Sequence, residues 1–225
     1  MKLTAKGISR RFFRNARNSN YFYAVEKTDL DLEEGKITVL IGRSGSGKTT
    51  LINMLAGVLT PTEGSVMLDG QDIYKLSDTD RSITRCRHIG YIPQGQTGLQ
   101  SLTVLENVLA PSVMYPSNSD QTKYAHELLN AMRIDDLSDI YSNELSGGEL
   151  RRMSIARALI NSPEIIIADE PTADLDNDTT SLVLGLFRQL ADNGASVLIV
   201  THESDVLSYA DRVCKMDKGI LKISD

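Results

Sequence analysis

Gly42-Arg43-Ser44-Gly45-Ser46-Gly47-Lys48-Thr49 is the stretch from which the rest of the chain is best read. It satisfies the pattern G-x-x-x-x-G-K-[ST]. Residues 36–41 before it form an apolar run with the length of a buried strand. The residues after it predict a helix from Lys48 to about Ala56, with Leu51, Ile52 and Leu55 three and four apart on one face. Gly57 supplies the stop. In a strand–loop–helix setting such glycines let backbone amides and a helix N-terminus close around phosphate groups. Lys48 then reaches the β- and γ-phosphates, and the Thr49 hydroxyl suits Mg²⁺. A Gly/Ser-rich turn with no ligand is the plain alternative, and the flanking strand and helix weigh against it.

Three more apolar runs share this grammar: residues 89–93, 164–168 and 196–201. Each is followed at once by polar residues, namely Gln94, the pair Asp169-Glu170, and His202. Short apolar strands alternating with amphipathic helices predict an α/β fold. In open parallel sheets ligands bind at the carboxyl ends of strands, so four strand ends offer polar groups to one place. Residues 1–35 and 63–75 instead carry the alternation and turn pairs of antiparallel strands, including Glu33-Glu34-Gly35, Glu63-Gly64 and Asp69-Gly70. Residues 97–160 read mostly helical, with 121–134 placing Leu128 and Leu129 on one face. The polar residues 15–20 read as a hairpin tip. Arg10, Arg11, Arg14 and Arg17 beside it read as a solvated turn, a contact patch being the alternative. No repeat or low-complexity tract interrupts this order.

With 225 residues, 41% of them apolar and 24% charged, the chain fits one globular domain with a substantial core. Lys and Arg number 24 against 30 Asp and Glu, a formal charge of −6. That balance gives no general attraction to nucleic acid or anionic lipid, and no nucleic-acid partner is expected. No apolar run approaches the roughly 18 residues that span a bilayer, and residues 1–13 lack the apolar segment of a signal peptide. A cytosolic chain is therefore expected. Cys86 and Cys214, with no CxxC spacing, read as idle thiols, a disulfide or metal role being the alternative. His88, His126 and His202 are too scattered to suggest a metal site.

Beside a phosphate loop, a strand ending in two carboxylates acquires meaning. Asp169 suits the Mg²⁺ shell, and Glu170 suits a base that activates water. Phosphoryl transfer depends on positioning and charge neutralisation, and this division of labour points to ATP hydrolysis. Ser146-Gly147-Gly148-Glu149 is by local rules a capping box opening a helix through Leu150, Met153, Ala156 and Leu159.

The ordered set of residues 42–50, Gln94, Leu145-Ser146-Gly147-Gly148-Glu149, residues 165–170, Asp174-Leu175-Asp176 and His202 resembles the ATPase subunit of an ABC transporter over essentially the whole chain. The resemblance implies a P-loop NTPase core with an antiparallel β-subdomain and an α-helical subdomain. Its single domain, 1–225, would divide into a nucleotide-binding core with the β-subdomain (about 1–94 and 161–225) and a helical subdomain with the signature motif (about 95–160). It implies ATP and Mg²⁺ as cofactors. ATP would be held by Gly42, Arg43, Ser44, Gly45, Ser46, Gly47, Lys48, Thr49 and Thr50, with Phe12 stacking on adenine; Thr49, Asp169 and Gln94 would hold the metal. By the same resemblance Gln94 is the Q-loop residue, Glu170 the catalytic base and His202 the switch residue near the γ-phosphate. Taken singly, Gln94 and His202 are ordinary surface polar residues. Two such subunits, as a homodimer or a paired ATPase, would pack head to tail. Ser146 and Gly148 would then face the ATP of the partner, and residues 174–176 would cross the dimer.

Glu149 stands where the commonest signature has Gln, and Ala173-Asp174 where the nearest subgroup often has Gly-Asn. The run Leu102-Thr103-Val104-Leu105-Glu106-Asn107-Val108 and the segment Ala168-Asp169-Glu170-Pro171-Thr172 resemble the group serving macrolide export, lipoprotein release, antimicrobial-peptide resistance and cell-division complexes. The implied partner is a separately encoded integral membrane permease, which would hold this chain peripherally on the cytoplasmic face. Residues 96–105 would line the groove for a cytoplasmic helix of the permease, with Leu99 and Leu102 as contacts or as ordinary core. The alternative is a non-transporting ABC ATPase that controls an envelope or cell-division membrane partner. A soluble ABC ATPase of DNA repair or translation fits less well, since coiled-coil insertions and a second cassette are lacking. An unrelated P-loop kinase or GTPase would leave Ser146 to Glu149 and His202 without a role.

Overall fold

The computed structural model describes residues 1–15, 18–95, 98–115, 121–203 and 205–224. The chain opens with a long antiparallel hairpin, β1 (Leu3–Asn15) and β2 (Asn18–Leu32). β3 (Ile37–Ile41) runs into the glycine-rich loop and α1 (Lys48–Leu55). β4 (Glu63–Leu68) and β5 (Gln71–Asp72) then return to the hairpin, giving an antiparallel sheet of order β2-β1-β4-β5. α2 (Asp78–His88) leads to β6 (Ile89–Ile92), and α3 (Val104–Met114), α4 (Thr122–Ala131) and α5 (Gly147–Leu159) deliver the chain to β7 (Ile165–Asp169). α6 (Asn177–Asp192), β8 (Ser196–Thr201), β9 (Arg212–Asp217) and β10 (Ile220–Ser224) complete it.

The second sheet has the order β10-β9-β3-β8-β7-β6 and is parallel except for the β10 edge. β7 and β8 are buried at every residue, which explains their unbroken Ile, Val and Leu content. Their side chains alternate between two cores. Ile166, Ala168, Val197 and Ile199 pack with α5 and with Val183, Leu184 and Phe187 of α6. Ile165, Ile167, Leu198 and Val200 pack with α1 and the antiparallel sheet. The parallel sheet is thus clamped between the helices and the β-layer, and its carboxyl ends share one rim. The fold is the α/β architecture expected, with an antiparallel layer and a group of helices beside the core sheet.

Local differences have physical reasons. The helix expected over 121–134 stops at Ala131, because the chain turns through Arg133 at φ +55°. Ile134 beyond the turn is still fully buried, so the apolar pattern outlasts the helix. β7 extends to Asp169, which pairs with Val200 and is drawn into the sheet. Cys86 is half-buried, Cys214 is buried, and both are free thiols. Among the described residues no helix is long and apolar enough to cross a membrane. Asn15 pairs with Asn18 at the hairpin end. Arg17, the side chain of Arg14, and residues 96–97 of the expected groove lie outside the described residues.

Candidate functional site

The loop after β3 is shaped by what packs behind it. Gly47 occupies the N-cap of α1 at φ +105° and carries no side-chain cap. A Cβ there would lie 2.1 Å from the Ala24 carbonyl oxygen of β2, so only glycine lets the loop lie against the hairpin. Lys48 is almost buried, and its Nζ donates to the carbonyls of Gly42 (2.7 Å) and Arg43 (3.1 Å). The Ser46 hydroxyl is buried with no hydrogen-bond partner in the protein. Thus the loop presents a cation and the amides of a helix start, a donor set suited to phosphate.

Across from it, the Thr49 hydroxyl donates to Asp169 Oδ2 at 2.8 Å. Asp169 is 1% exposed, and burial pushes its carboxyl above the usual carboxylate range, opposed by the Thr49 hydrogen bond. A bound cation would relieve that desolvation, and the hydroxyl, carboxylate and Gln94 amide oxygens are the hard donors Mg²⁺ prefers. Glu170 follows at φ +50°, its amide donating to the Val200 carbonyl (2.8 Å). Its Oε1 meets His202 Nδ1 at 2.9 Å, while Oε2 is buried without a protein partner. The hydrogen bond to Glu170, then its charge, raises the His202 pKa above the ordinary imidazole value.

That shift can be checked directly. The exposed His202 ring should titrate above about 6.5, and Glu170→Gln should bring it back toward that value in an NMR pH titration. The sign is set by the raised folded pKa: the contact is favourable below the unfolded value and is lost as pH rises through the folded one. An unchanged His202 titration in the variant would rule out the pairing.

Gly42, Arg43, Ser44, Gly45, Gly47, Lys48, Thr49, Thr50, Gln94, Asp169, Glu170 and His202 line one cavity of about 900 Å³, and Phe12 lines it too. Ser46 stands behind the loop, where its carbonyl accepts from Gly219 N. Ser146 and Gly148 do not reach the cavity. Ser146 caps α5, with its amide and hydroxyl donating to Glu149 Oε2 (2.8 and 2.6 Å) and its hydroxyl accepting from Glu149 N. Asp176 likewise caps α6 through the Thr179 amide and hydroxyl.

Sequence reading missed Phe22, Tyr23, Lys218 and Gly219, which also line the cavity. Phe22 pairs with Phe12 across the hairpin, their ring centroids 6.1 Å apart. The run Tyr21-Phe22-Tyr23 facing Phe12-Phe13 was the available signal. A second cavity of about 400 Å³ lies between α1, α2, α3 and α5, lined by Val58, Arg85, Leu99, Met114 and Arg157 among others. Leu99 is exposed there, whereas Leu102 is half-buried.

A family model described as ABC transporter matches residues 25–173. The lipoprotein-releasing system ATP-binding protein LolD of Ehrlichia chaffeensis is 41% identical over 197 residues, covering 86% of this chain and 83% of that protein. The macrolide export ATP-binding/permease protein MacB of Rhodopirellula baltica is 40% identical over 197 residues, which are 85% of this chain but only 29% of that longer protein. Among solved structures, a dimeric bacterial ABC transporter cassette superposes with a TM-score of 0.91 at 30% identity over 98% of both chains. A post-hydrolysis state of that cassette, bound to ADP and Pi, matches equally well.

Proposed function

The chain belongs to the ABC transporter family as an ATP-binding cassette, and from that premise we propose that it binds ATP with Mg²⁺, hydrolyses it, and drives a membrane permease carried on another polypeptide. The observation carrying this is the meeting, in one cavity, of Lys48, the Thr49–Asp169 pair, Gln94, Glu170 and His202. Thr49, Asp169 and Gln94 would hold the metal, which would supply charge neutralisation at the phosphate oxygens. Lys48 exchanges its two loop carbonyls for phosphate oxygens, while the Gly47 turn aims the α1 amides at them. Phe12 and Phe22 offer apolar ring faces to the base. Glu170, with Oε2 unengaged and Oε1 steadied by His202, takes the proton of the attacking water.

Ser146 and Gly148 lie away from this cavity, which fits a role toward the nucleotide of a second copy. The exposed Ser146 then alternates between capping α5 and meeting the partner's phosphate. Ser146→Arg should leave ATP affinity of the single chain unchanged and abolish ATP-driven dimerisation, read by light scattering in a Glu170→Gln background. Normal dimers would remove the role in trans. The names of the two relatives, lipoprotein release and macrolide export, support a partner that is a permease for export or release. Attachment would be peripheral, on the cytoplasmic face, through the 400 Å³ cavity at Leu99 rather than through charge attraction to lipid, given the net −6. In this reading about 1–94 and 161–225 carry the nucleotide and about 95–160 form the helical part.

A further inference from the structure

Arg151 lies one turn into α5 and is 4% exposed. Arginine is almost never buried this far unless its charge is engaged. Its Nη1 donates to the Pro93 carbonyl at 3.1 Å, and Pro93 is the residue between the end of β6 and Gln94. Burial lowers its pKa, and the charges of Asp174, Asp169 and Glu170 act on it in the opposite direction. Two of those, Glu170 and Asp174, sit in left-handed backbone at φ +50° and +65°, conformations that persist only where the surroundings hold them. One buried cation therefore adjoins the helix opened by Ser146, the exit of β6 that carries Gln94, and the segment carrying the two site acids.

We propose that Arg151 is a positioning residue for ATP turnover: its hydrogen bond to the Pro93 carbonyl fixes Gln94 relative to Asp169 and Glu170 and ties Gln94 to the N-terminus of α5. This rests on the ATPase reading given above. A displacement of α5 is transmitted through the guanidinium to the backbone beside Gln94, and the same cation offsets the charge gathered at 169–174.

Arg151→Met keeps the bulk and removes the cation together with its hydrogen bond to the Pro93 carbonyl. Mg²⁺-ATP turnover should fall on the order of 10²-fold, the scale of a misplaced catalytic group, while ATP affinity stays the same. Arg151→Lys, still cationic and able to donate to the Pro93 carbonyl, should recover most of the loss. Independently of turnover, hydrogen exchange in nucleotide-free protein should quicken over residues 91–95 in Arg151→Met and not over residues 153–159 of α5. Lysine should restore it. Wild-type turnover, unchanged exchange at 91–95, faster exchange throughout α5, or no recovery with lysine each overturns the proposal. If the unsubstituted chain shows no Lys48-dependent turnover, the ATPase reading itself fails, and the exchange result still reports whether Arg151 holds the end of β6.

Discussion

Glu170→Gln should reduce ATP turnover by about 10²–10⁴-fold, the range for losing a general base, with ATP binding retained. The amide has almost the shape of the carboxylate, and its oxygen can still accept from His202 Nδ1, so the 2.9 Å contact survives. What disappears is the carboxylate charge, and with it the capacity to take a proton that the proposed base role requires. The left-handed backbone at Glu170 is fixed by its own amide bonding to the Val200 carbonyl, which the substitution does not touch. ATP-bound dimers should therefore accumulate, visible by light scattering, as phosphate release in a coupled assay nearly stops. Turnover within a few-fold of the unsubstituted chain would take the base role away from Glu170.

The readable part of this site came from local pattern. β3, β7 and β8 are apolar because both of their faces are buried, so their ends were legible, and the polar residues just past them fell on one rim. Ser146 was legible as a helix cap for the same local reason, and it is one. The hidden part depends on pairing between distant segments. Phe22 reaches the cavity only because the register of β1 and β2 sets it opposite Phe12. Lys218 and Gly219 reach it because the β9–β10 turn hydrogen-bonds to both Ser46 and Glu26. Arg151, in a sequence of charged residues after the signature, gave no sign of being buried; only the packing of α5 on the end of β6 turns it inward. Register and helix docking are properties of the assembled core, and periodicity in one segment does not encode them.

Gly47→Ala should weaken ATP binding by about 10²-fold, and the reason is geometric. Alanine at φ +105° carries strain of order 1–3 kcal/mol. The larger obstacle is its methyl, placed 2.1 Å from the Ala24 carbonyl oxygen, a backbone atom with no rotamer to yield. Nor can the two segments simply part. Ser46 accepts from Gly219 N at 2.9 Å, and the Gly219 carbonyl accepts from Glu26 N at 2.8 Å, so the loop and β2 are laced together on either side of the collision. Relief must come from tilting the amides at the start of α1, the groups proposed to bind phosphate. Gly45→Ala is the matched control: its φ is +75°, but nothing lies within 4 Å of the added methyl. That variant should keep its affinity within about tenfold, because the strain of a left-handed residue is carried by the free and the bound loop alike. Titration calorimetry with ATP separates the two effects, and the melting temperature of ATP-free protein should fall by about 2–4 °C for each kcal/mol of strain the substitution adds. Equal affinities for the two variants would mean that the loop relaxes away from β2 freely, and the close packing of loop on hairpin would then have no part in binding.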